Sequence, residues 1–222
     1  MLRLIVLCLF MAIFCATLRA QQKASFAVQA GVSRAIATQS NQGVTQFSGG
    51  LSAVFPFSKK LNFQTGLFYN GKGWANKGIT HSSEIRINYL QVPLYINYLI
   101  KVKAGHLYIG AGPYMAVALS GWVKSSQQFN VGLHYAPSAP LNLKDGRSEY
   151  MSKLTIGKNE QYEDVANYST KRMDYGLTGH AGFILNNGFF VNAGYDMGLA
   201  NISYDNVARR LQTATVSLGY FF

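Results

Sequence analysis

Residues 211–222 read LQTATVSLGYFF and alternate in character along their length. One face of this period-2 pattern carries apolar side chains: Ala214, Val216, Leu218, Tyr220 and Phe222. The other face is mostly small or polar, which is typical of a β-strand whose two faces meet different surroundings. Chain ends are usually polar and frayed, so a strand that runs to a final aromatic residue predicts a structural role for this end.

The first twenty residues (1–20) predict a secretory signal peptide. Arg3 is followed by an apolar run that is too short for a transmembrane helix and by small residues suited to cleavage. Both cysteines, Cys8 and Cys15, lie inside this leader. The mature chain, 21–222, then has no thiol and can form no disulfide, although it is exported.

Composition favours a membrane β-barrel for the exported chain. Charged residues make up 13% of the sequence, against roughly 25% in typical soluble domains. No later stretch is apolar for about 18 residues, so a spanning helix is not predicted. Closed barrels are the other structure that crosses membranes. Without Arg3 and Arg19, 18 basic and 9 acidic residues leave a net charge of +9, which favours anionic lipid as a partner over nucleic acid.

Eight segments alternate with period 2, and most are long enough to cross a bilayer as tilted strands, which need about 9–11 residues. They are 25–33, 47–57, 61–70, 84–100, 106–121, 173–185, 188–199 and 211–222. In the fourth segment the apolar positions change phase at Tyr89–Leu90, which predicts a β-bulge there. The predicted fold is all-β: an eight-stranded antiparallel up-and-down transmembrane β-barrel.

The connections alternate between short and long, which indicates the topology. Short links follow the second, fourth and sixth segments, and long links follow the first, third, fifth and seventh. Outer-membrane barrels have short periplasmic turns and long external loops, so both termini are predicted to be periplasmic. The domain is predicted to span 21–222 with a long external loop at 122–172, in which 129–135 extends a hairpin.

A secreted, lipocalin-like barrel is the structural alternative. That fold would expose the second face of each strand to water, where Lys and Glu are expected. The second face here carries mainly Gly, Ser, Thr, Asn and Tyr. These groups suit the crowded lumen of a small membrane barrel, so the apolar face is predicted to meet lipid.

Several short stretches resemble the PorT-like outer-membrane β-barrel family of Bacteroidetes-type bacteria, which is similar in shape to small barrels such as OmpX and OmpA. The stretches are YLQVPLYINY (89–98), GAGPYMAVALSG (110–121), MDYGLTGHAG (173–182), YDMGLANI (195–202) and VSLGYFF (216–222). The resemblance implies the barrel fold and an outer-membrane location. It does not by itself imply an activity.

Two groups of residues contain side chains that could form a reaction centre. His180, Asp174 and Asp196 are predicted to face the lumen on adjacent strands, with Thr178 opposite Asp196 and His180 diagonal to it. A nucleophilic site is one interpretation, but no Ser-centred motif accompanies these residues, so a hydrogen-bond network is favoured.

His81 and Glu84 suggest hydrolysis or a metal ion, but two ligands in a loop do not match the spacing of metal sites. The sequence therefore predicts no catalytic residue, no cofactor and no metal.

Basic residues at the predicted external ends of strands suggest a rim that meets lipopolysaccharide phosphates, with solvated charge as the alternative. They are Arg34, Lys72, Lys77, Arg172, Arg209 and Arg210.

The function predicted is that of a non-enzymatic outer-membrane barrel with a structural or interaction role. Three alternatives stay open: an accessory component of a protein secretion system, a narrow channel, and an outer-membrane lipid-modifying enzyme. The predicted partners are outer-membrane lipid, lipopolysaccharide, the barrel-assembly machinery and an unidentified external or periplasmic protein. Nucleic acid is not among them.

The C-terminal strand yields the first testable prediction. Leu218, Tyr220 and Phe222 resemble the signal that the barrel-assembly machinery reads. Changing Tyr220 and Phe222 together to Asp should leave the leader cleaved but prevent insertion, so that the product is degraded. Heat-modifiable gel mobility of the membrane fraction measures the folded barrel, and a normal amount in the double variant would contradict the signal.

Overall fold

The computed structural model describes residues 24–78, 81–128, 147–157, 169–204 and 208–222. The predicted signal peptide and the predicted hairpin extension at 129–135 lie outside these ranges. The strands are β1 (Ser25–Ala37), β2 (Gln42–Pro56), β3 (Leu61–Lys77), β4 (His81–Val102), β5 (Gly105–Gln128), β6 (Arg147–Lys153), β7 (Thr155–Ile156), β8 (Ser169–Thr170), β9 (Met173–Leu185), β10 (Phe189–Gly198) and β11 (Leu211–Phe221). Among the described residues, no helix is long and apolar enough to cross a membrane.

Eight of these strands close into a ring of antiparallel neighbours, in the order β1–β2–β3–β4–β5–β9–β10–β11. β11 returns to β1 in an unbroken register that runs from Ala27↔Phe221 to Ala37↔Leu211. The predicted eight-stranded antiparallel barrel is therefore confirmed, including its closure by the C-terminal strand. We call the end of the ring at the links β2–β3, β4–β5 and β9–β10 the short-turn end, and the opposite end the long-loop end.

The predicted segments match the strands best at the short-turn end. There the tightest link is Asn186-Asn187-Gly188, where Gly188 has φ of +89°, a conformation that other residues rarely adopt. The amide of Phe221 donates to the carbonyl of Gly188 at 2.9 Å, which fastens this turn to the last strand. At the long-loop end β1 to β5 run further than predicted, and β3 reaches Lys77 instead of ending at Asn70.

Near the short-turn end, the outward face of the barrel is apolar and the inward face is polar. On β4 the exposed outward residues are Val92, Leu94, Ile96, Tyr98 and Ile100. Inward residues that alternate with them, such as Gln91 before Val92 and Asn97 before Tyr98, are buried. A continuous exposed apolar belt suits hydrocarbon, and 90–100 matches the roughly 9–11 residues with which a tilted strand crosses a bilayer.

Toward the long-loop end the two faces of β4 exchange their chemistry. Ile85 and Ile87 point inward and are buried, whereas Arg86 and Asn88 lie on the outward face and are partly exposed. The same alternate residues stay inward along the strand, so its surroundings change and its backbone phase does not. An apolar interior with a polar exterior is the arrangement for water. The lipid-facing belt on β4 therefore ends between Asn88 and Leu90.

The register of β4 and β5 does shift beside Tyr89, between Asn88 and Tyr89, but the bulge predicted on β4 at Tyr89–Leu90 is on the wrong strand, because burial alternates through these residues without interruption. The irregularity lies on β5 instead. Asn88 pairs with Ser120, but the next pair joins Tyr89 to Ala118, so Leu119 has no partner on β4. In the sequence alone, this exchange of apolar and polar faces on β4 looks the same as a one-residue change of phase along the strand.

An apolar core fills the long-loop end of the barrel. Strand residues Trp74, Ile85 and Ile87 contribute to it, and segments outside the ring add Leu154 and Ile202. The other members are Ala37, Tyr89, Tyr114, Ala116, Ala118, Val123, Ala200 and Leu211. This core closes the described interior at that end.

The stretch 122–172, predicted as a loop, contains ordered strands. β5 continues to Gln128, and β6 pairs with it from Trp122↔Lys153 to Gln128↔Arg147. Two-residue strands β7 and β8 pair in parallel beside them. Because β4 and β5 also pair as far as His81↔Gln127, a sheet extends beyond the belt at this side of the ring.

The exchange of chemistry on β4 predicts that substitution by Arg has very different effects on stability at two outward positions of this strand. Leu94→Arg should destabilise the refolded barrel by about 2–4 kcal/mol, because it places a cation in the hydrocarbon. Asn88→Arg, outward on the same strand but beyond the belt, should have little effect. Urea titration of both variants in lipid vesicles measures the difference, and equal losses would contradict the proposed boundary.

Candidate functional site

Buried amides form a layer across the interior near the short-turn end, with Asn97 of β4 at its centre. The Asn97 Nδ2 donates to Asn62 Oδ1 at 2.8 Å and to Gln64 Oε1 at 2.7 Å. Its Oδ1 lies 2.7 Å from His180 Nε2. Because that oxygen can only accept, His180 carries a proton on Nε2 and donates it. All hydrogen-bonding atoms of the Asn97 amide are thus engaged across three strands.

His180 is held by aromatic rings as well as by this hydrogen bond. The ring of Tyr95 stacks on it with 3.9 Å between centroids, and Tyr108 approaches edge-on at 5.3 Å. Tyr108 in turn donates to Asn192 Oδ1 at 2.9 Å. His180 is therefore a packed member of the interior, because rings and an amide occupy its surroundings.

Gly110 makes this packing possible. A Cβ at this position would collide with Asn97 Oδ1 and would lie 2.7 Å from His180 Nε2. The side chain of any other residue would therefore separate the two hydrogen-bonded groups. The glycine is needed for the close approach of Asn97 and His180.

A charged cluster lies further along the interior, and Lys72 of β3 is its centre. Its Nζ lies 3.1 Å from Asp174 Oδ2 and 3.4 Å from Asp196 Oδ2, and neither Lys72 nor Asp174 is accessible to solvent. Tyr114 donates to Asp174 Oδ2 at 3.1 Å, and Gln91 donates to Asp196 Oδ2 at 3.0 Å. One cation thus holds carboxylates from β9 and β10 across the barrel.

Aromatic rings and one small cavity border this cluster. The Lys72 ammonium lies 4.4 Å from the ring centroid of Tyr114, a distance at which ring and cation attract. A cavity of about 30 Å³ touches both Asp196 and His180. This volume holds about one water molecule, which could serve the Oε1 of Gln91, an atom with no hydrogen-bond partner in the protein.

The structure separates the predicted His–Asp group into two layers. Thr178 pairs with Asp196 and His180 with Gly194, so the predicted register between β9 and β10 is confirmed. Asp174 and Asp196 meet through Lys72, whereas His180 bonds to Asn97. Thr178 Oγ1 lies 3.3 Å from the hydroxyl of Tyr95. A hydrogen-bond network is therefore the interpretation that fits.

The other predicted reactive pair does not converge. His81 is exposed at the start of β4, and Glu84 accepts from Arg86 Nε at 2.5 Å. Within the described part of the chain, no group of three His, Cys, Asp or Glu side chains could hold a metal ion. The described arrangement can fill and fasten a barrel, and it assembles no nucleophile beside a base.

The structure divides the predicted basic rim. Lys72 does not belong to it, because this residue faces inward and its charge is needed by two buried carboxylates. Arg34 and Arg210 are exposed near the long-loop end, where Arg210 adjoins Thr38 at the end of β1. Arg209 instead lies over Trp74, with 6.0 Å between its Cζ and the centroid of the Trp74 ring.

The remaining two rim residues, Lys77 and Arg172, are exposed at the ends of β3 and β9. Lys77 is bonded through its backbone to the side chain of Asn41, in the link that follows β1, at 2.8 and 2.9 Å, whereas Arg172 directly precedes β9. The structure therefore brings together only part of the predicted set.

The predicted assembly signal lies on the outward face of β11 at the short-turn end. Leu218, Tyr220 and Phe222 are exposed. Tyr220 contacts Phe189 and Phe222 with centroid distances of 5.0 and 5.5 Å, so these residues form an aromatic cluster at the edge of the belt. Recognition by the assembly machinery stays a prediction.

Sequence reasoning missed Lys72, Gln91 and Asn97 as interior residues. A signal was present for Lys72, because it continues the inward alternation of Gln64, Phe68 and Asn70 on β3. The third predicted segment, 61–70, stops before this residue. No pairwise sequence signal links Asn97 to His180, because their contact spans the barrel.

The charged cluster predicts that Lys72 is a structural necessity. Lys72→Met should destabilise the refolded barrel by about 3–5 kcal/mol, because two buried carboxylates lose their cation. Lys77→Met, at an exposed lysine of the same strand, should change stability little. Changing Lys72 to Met together with Asp174→Asn and Asp196→Asn should recover most of the loss. Urea titration measures all three variants, and a harmless Lys72→Met would overturn the assignment.

Three solved structures are similar to this chain. Ail, the attachment invasion locus protein of Yersinia pestis, is similar in structure with a TM-score of 0.43 and 12% identity, covering 90% of this chain and 100% of that chain. Neisserial surface protein A (NspA) gives 0.43 and 16%, covering 90% and 98%. The N-terminal barrel domain of Pseudomonas aeruginosa OprF gives 0.37 and 9%, covering 90% and 100%.

No curated protein matches the chain in sequence. The family model described as the outer membrane protein beta-barrel domain matches residues 16–204, which is most of the chain. With the ring closed and its belt apolar, the chain belongs to the family of outer membrane protein β-barrel domains.

Proposed function

We propose that this protein is a non-enzymatic outer-membrane barrel that holds a rigid sheet outside the cell for interaction with other molecules. The observation that carries the proposal is the exchange of chemistry on β4, with Ile85 and Ile87 inward and Arg86 and Asn88 outward. The part of β4 beyond the belt has a polar outward face, which suits contact with water. Both termini are periplasmic in this proposal, so the long-loop end faces the exterior.

A filled interior argues against the channel alternative. The amide layer around Asn97, the cluster around Lys72 and the apolar core occupy successive parts of the described lumen. An eight-stranded barrel is only wide enough for side chains to fill it. The purified protein should therefore show no stepwise conductance in planar bilayers, and such steps would restore the channel alternative.

The enzyme alternative lacks a reaction centre in the described residues. His180 is the buried histidine there, and its Nε2 is engaged by Asn97. The buried carboxylates Asp174 and Asp196 are engaged by Lys72. These buried side chains bind one another inside the barrel, so they are not accessible to a lipid substrate.

The surface offered for interaction is the sheet that continues β4 and β5 beyond the belt. Arg86 lies over the Trp122 ring at 5.0 Å and binds Glu84, so charge and an aromatic ring are presented together. Exposed ion pairs add little stability. Arg and Trp are common anchors in protein interfaces, so this part of the sheet suits recognition better than it suits folding.

Lipopolysaccharide is proposed as a lipid partner at Arg34 and Arg210. Arg34 is exposed on the outward face between Val32 and Ile36, where a phosphate at the membrane surface could meet it. Purified lipopolysaccharide should raise the thermal stability of the refolded barrel. The gain should shrink in the variant Arg34→Gln with Arg210→Gln and persist in Lys77→Gln. An equal gain in both variants would exclude the pair.

The finer assignments stay proposals. The stretches 89–98 and 110–121 support a PorT-like subfamily, and the C-terminal strand supports recognition by the barrel-assembly machinery. An accessory role in protein secretion remains an alternative to a free-standing surface role. A secretion partner would be recognised by co-purification of the barrel with a defined envelope complex.

Cysteine labelling tests the orientation and the interaction surface together. The mature chain has no cysteine, so a single new thiol is a clean reporter. Met151→Cys, at an exposed residue of β6, should react with a membrane-impermeant maleimide in intact cells. Lys103→Cys, at the short-turn end, should react only after the outer membrane is opened.

A cleavable cross-linker on the same two thiols then tests the role. Position 151 should capture a specific partner in intact cells, and position 103 should not capture the same one. The reverse labelling pattern would overturn the orientation, and equal capture at both positions would overturn the proposed interaction surface.

A further inference from the structure

The charges buried inside the barrel do not cancel. Lys72 carries one positive charge, and it faces two carboxylates, those of Asp174 and Asp196. Among the described residues, no other lysine, arginine, aspartate or glutamate is buried. One negative charge is therefore in excess. Because a buried charge without an opposite charge is strongly destabilising, the folded interior needs one more positive charge.

His180 is the other buried side chain that can carry a positive charge. It belongs to the amide layer, where its Nε2 bonds to Asn97 Oδ1. In the described structure, the ion pairs of Asp174 and Asp196 are made by Lys72, and His180 makes none with either carboxylate. The histidine is therefore not placed to neutralise the cluster.

A cavity of about 30 Å³ lies between the charged cluster and the amide layer. Asp196 and Gln91 of the cluster line it, and so do His180 and Gln64 of the layer. Most of the other lining side chains are amides or hydroxyls. The volume suits one water molecule or one ion of similar size.

The side-chain oxygen of Gln91 has no donor at this cavity. Gln91 is 2% exposed, and its Nε2 donates to Asp196 Oδ2 at 3.0 Å. This bond fixes the orientation of the amide, because reversing it would place Oε1 against the carboxylate. Oε1 is buried and has no hydrogen-bond partner within the described protein. Since an amide oxygen can only accept, it needs a donor or a cation.

Asp196 supplies a second oxygen to the cavity. Its described contacts, with Lys72 and with Gln91, both involve Oδ2. The other carboxylate oxygen, Oδ1, is therefore available to a group in the cavity that Asp196 lines. An amide oxygen and a carboxylate oxygen then meet at a place that is large enough for one ion.

The excess charge decides between the possible occupants. A water molecule fits the volume but adds no charge. A divalent ion would replace one excess negative charge by one excess positive charge. A monovalent cation balances the cluster, and carbonyl-type oxygens are common ligands of sodium and potassium ions in membrane proteins. Such a site does not need the His and Cys ligands of a zinc site.

We propose that the cavity binds one monovalent alkali cation, held by Gln91 Oε1 and Asp196 Oδ1, which neutralises the cluster around Lys72. The unfolded chain does not bring these oxygens together, so the ion stabilises the folded barrel by binding to it. The site lies in the wall-to-wall interior and is independent of the surface role proposed above.

Urea unfolding in different chloride salts tests the site. The refolded barrel is titrated in phosphatidylcholine vesicles in sodium or potassium chloride, with choline chloride added to keep the total ionic strength constant. Choline is too large for a cavity of about 30 Å³, so choline chloride alone is the control for screening. Above the dissociation constant, each tenfold rise in the alkali cation should raise the folding equilibrium constant about tenfold.

Two substitutions at the cavity should change this dependence in different ways. Asp196→Asn should abolish it, because the excess charge and one ligand are lost while the shape of the side chain is kept. Gln91→Met keeps the charge but removes Oε1, so the dependence should move to a higher cation concentration. Glu149→Gln removes a carboxylate from β6, beyond the belt, and should behave like the parent. Gln91→Met also serves as the test if Asp196→Asn does not fold.

Each other outcome would overturn the site. Identical unfolding in all salts would assign the cavity to water. An equal gain in choline chloride would reduce the effect to screening. Stability that ignores the alkali cation but falls as the pH rises would mean that a proton neutralises the cluster. A dependence that survives Asp196→Asn unchanged would place the ion elsewhere.

Discussion

Backbone amides cannot remain unpaired in hydrocarbon, and this constraint brings β1 against β11. Their register from Ala27↔Phe221 to Ala37↔Leu211 leaves the ring without a free edge along the belt. The apolar alternation of the last strand follows from the same requirement, because the strand that closes the ring is also part of the lipid-facing surface. Closure with eight strands also sets the diameter, and at this diameter side chains fill the interior.

A filled interior has to satisfy its own polar groups. Lys72, Asp174 and Asp196 come from three strands, and their ion pairs span the barrel. A buried ion pair contributes little net stability compared with apolar packing, but removing one partner is costly. Such a cluster therefore selects one arrangement of strands more than it adds stability. The amide layer around Asn97 acts in the same way, because each hydrogen bond there has one geometrically suitable partner.

Sequence alternation was enough for the eight strands, their order and the lipid-facing side, because a period of two residues is a local property. It failed where the cause was not local. On β4 the change from Ile87 to Leu90 looked like a bulge, since a pattern of hydrophobicity cannot separate a change of surroundings from a change of phase. Lys72 looked like a rim residue, because its carboxylate partners are distant in sequence. The stretch 122–172 looked like a loop because its strands lie outside the membrane, where polar side chains are favourable.

The two ends of the apolar belt divide the outer surface into regions with different chemistry. Beyond the belt at the long-loop end, residues such as Glu84 and Arg86 carry both signs of charge. At the short-turn end the exposed charge is that of lysines, with no acidic side chain in the neighbouring turns. Since the lumen is occupied by side chains that bind one another, molecules that meet this protein must meet one of these outer regions. A mixed-charge sheet suits a protein or sugar surface, whereas the apolar belt suits hydrocarbon. Because side chains fill the described lumen, recognition of other molecules is expected on the outer surface of the barrel.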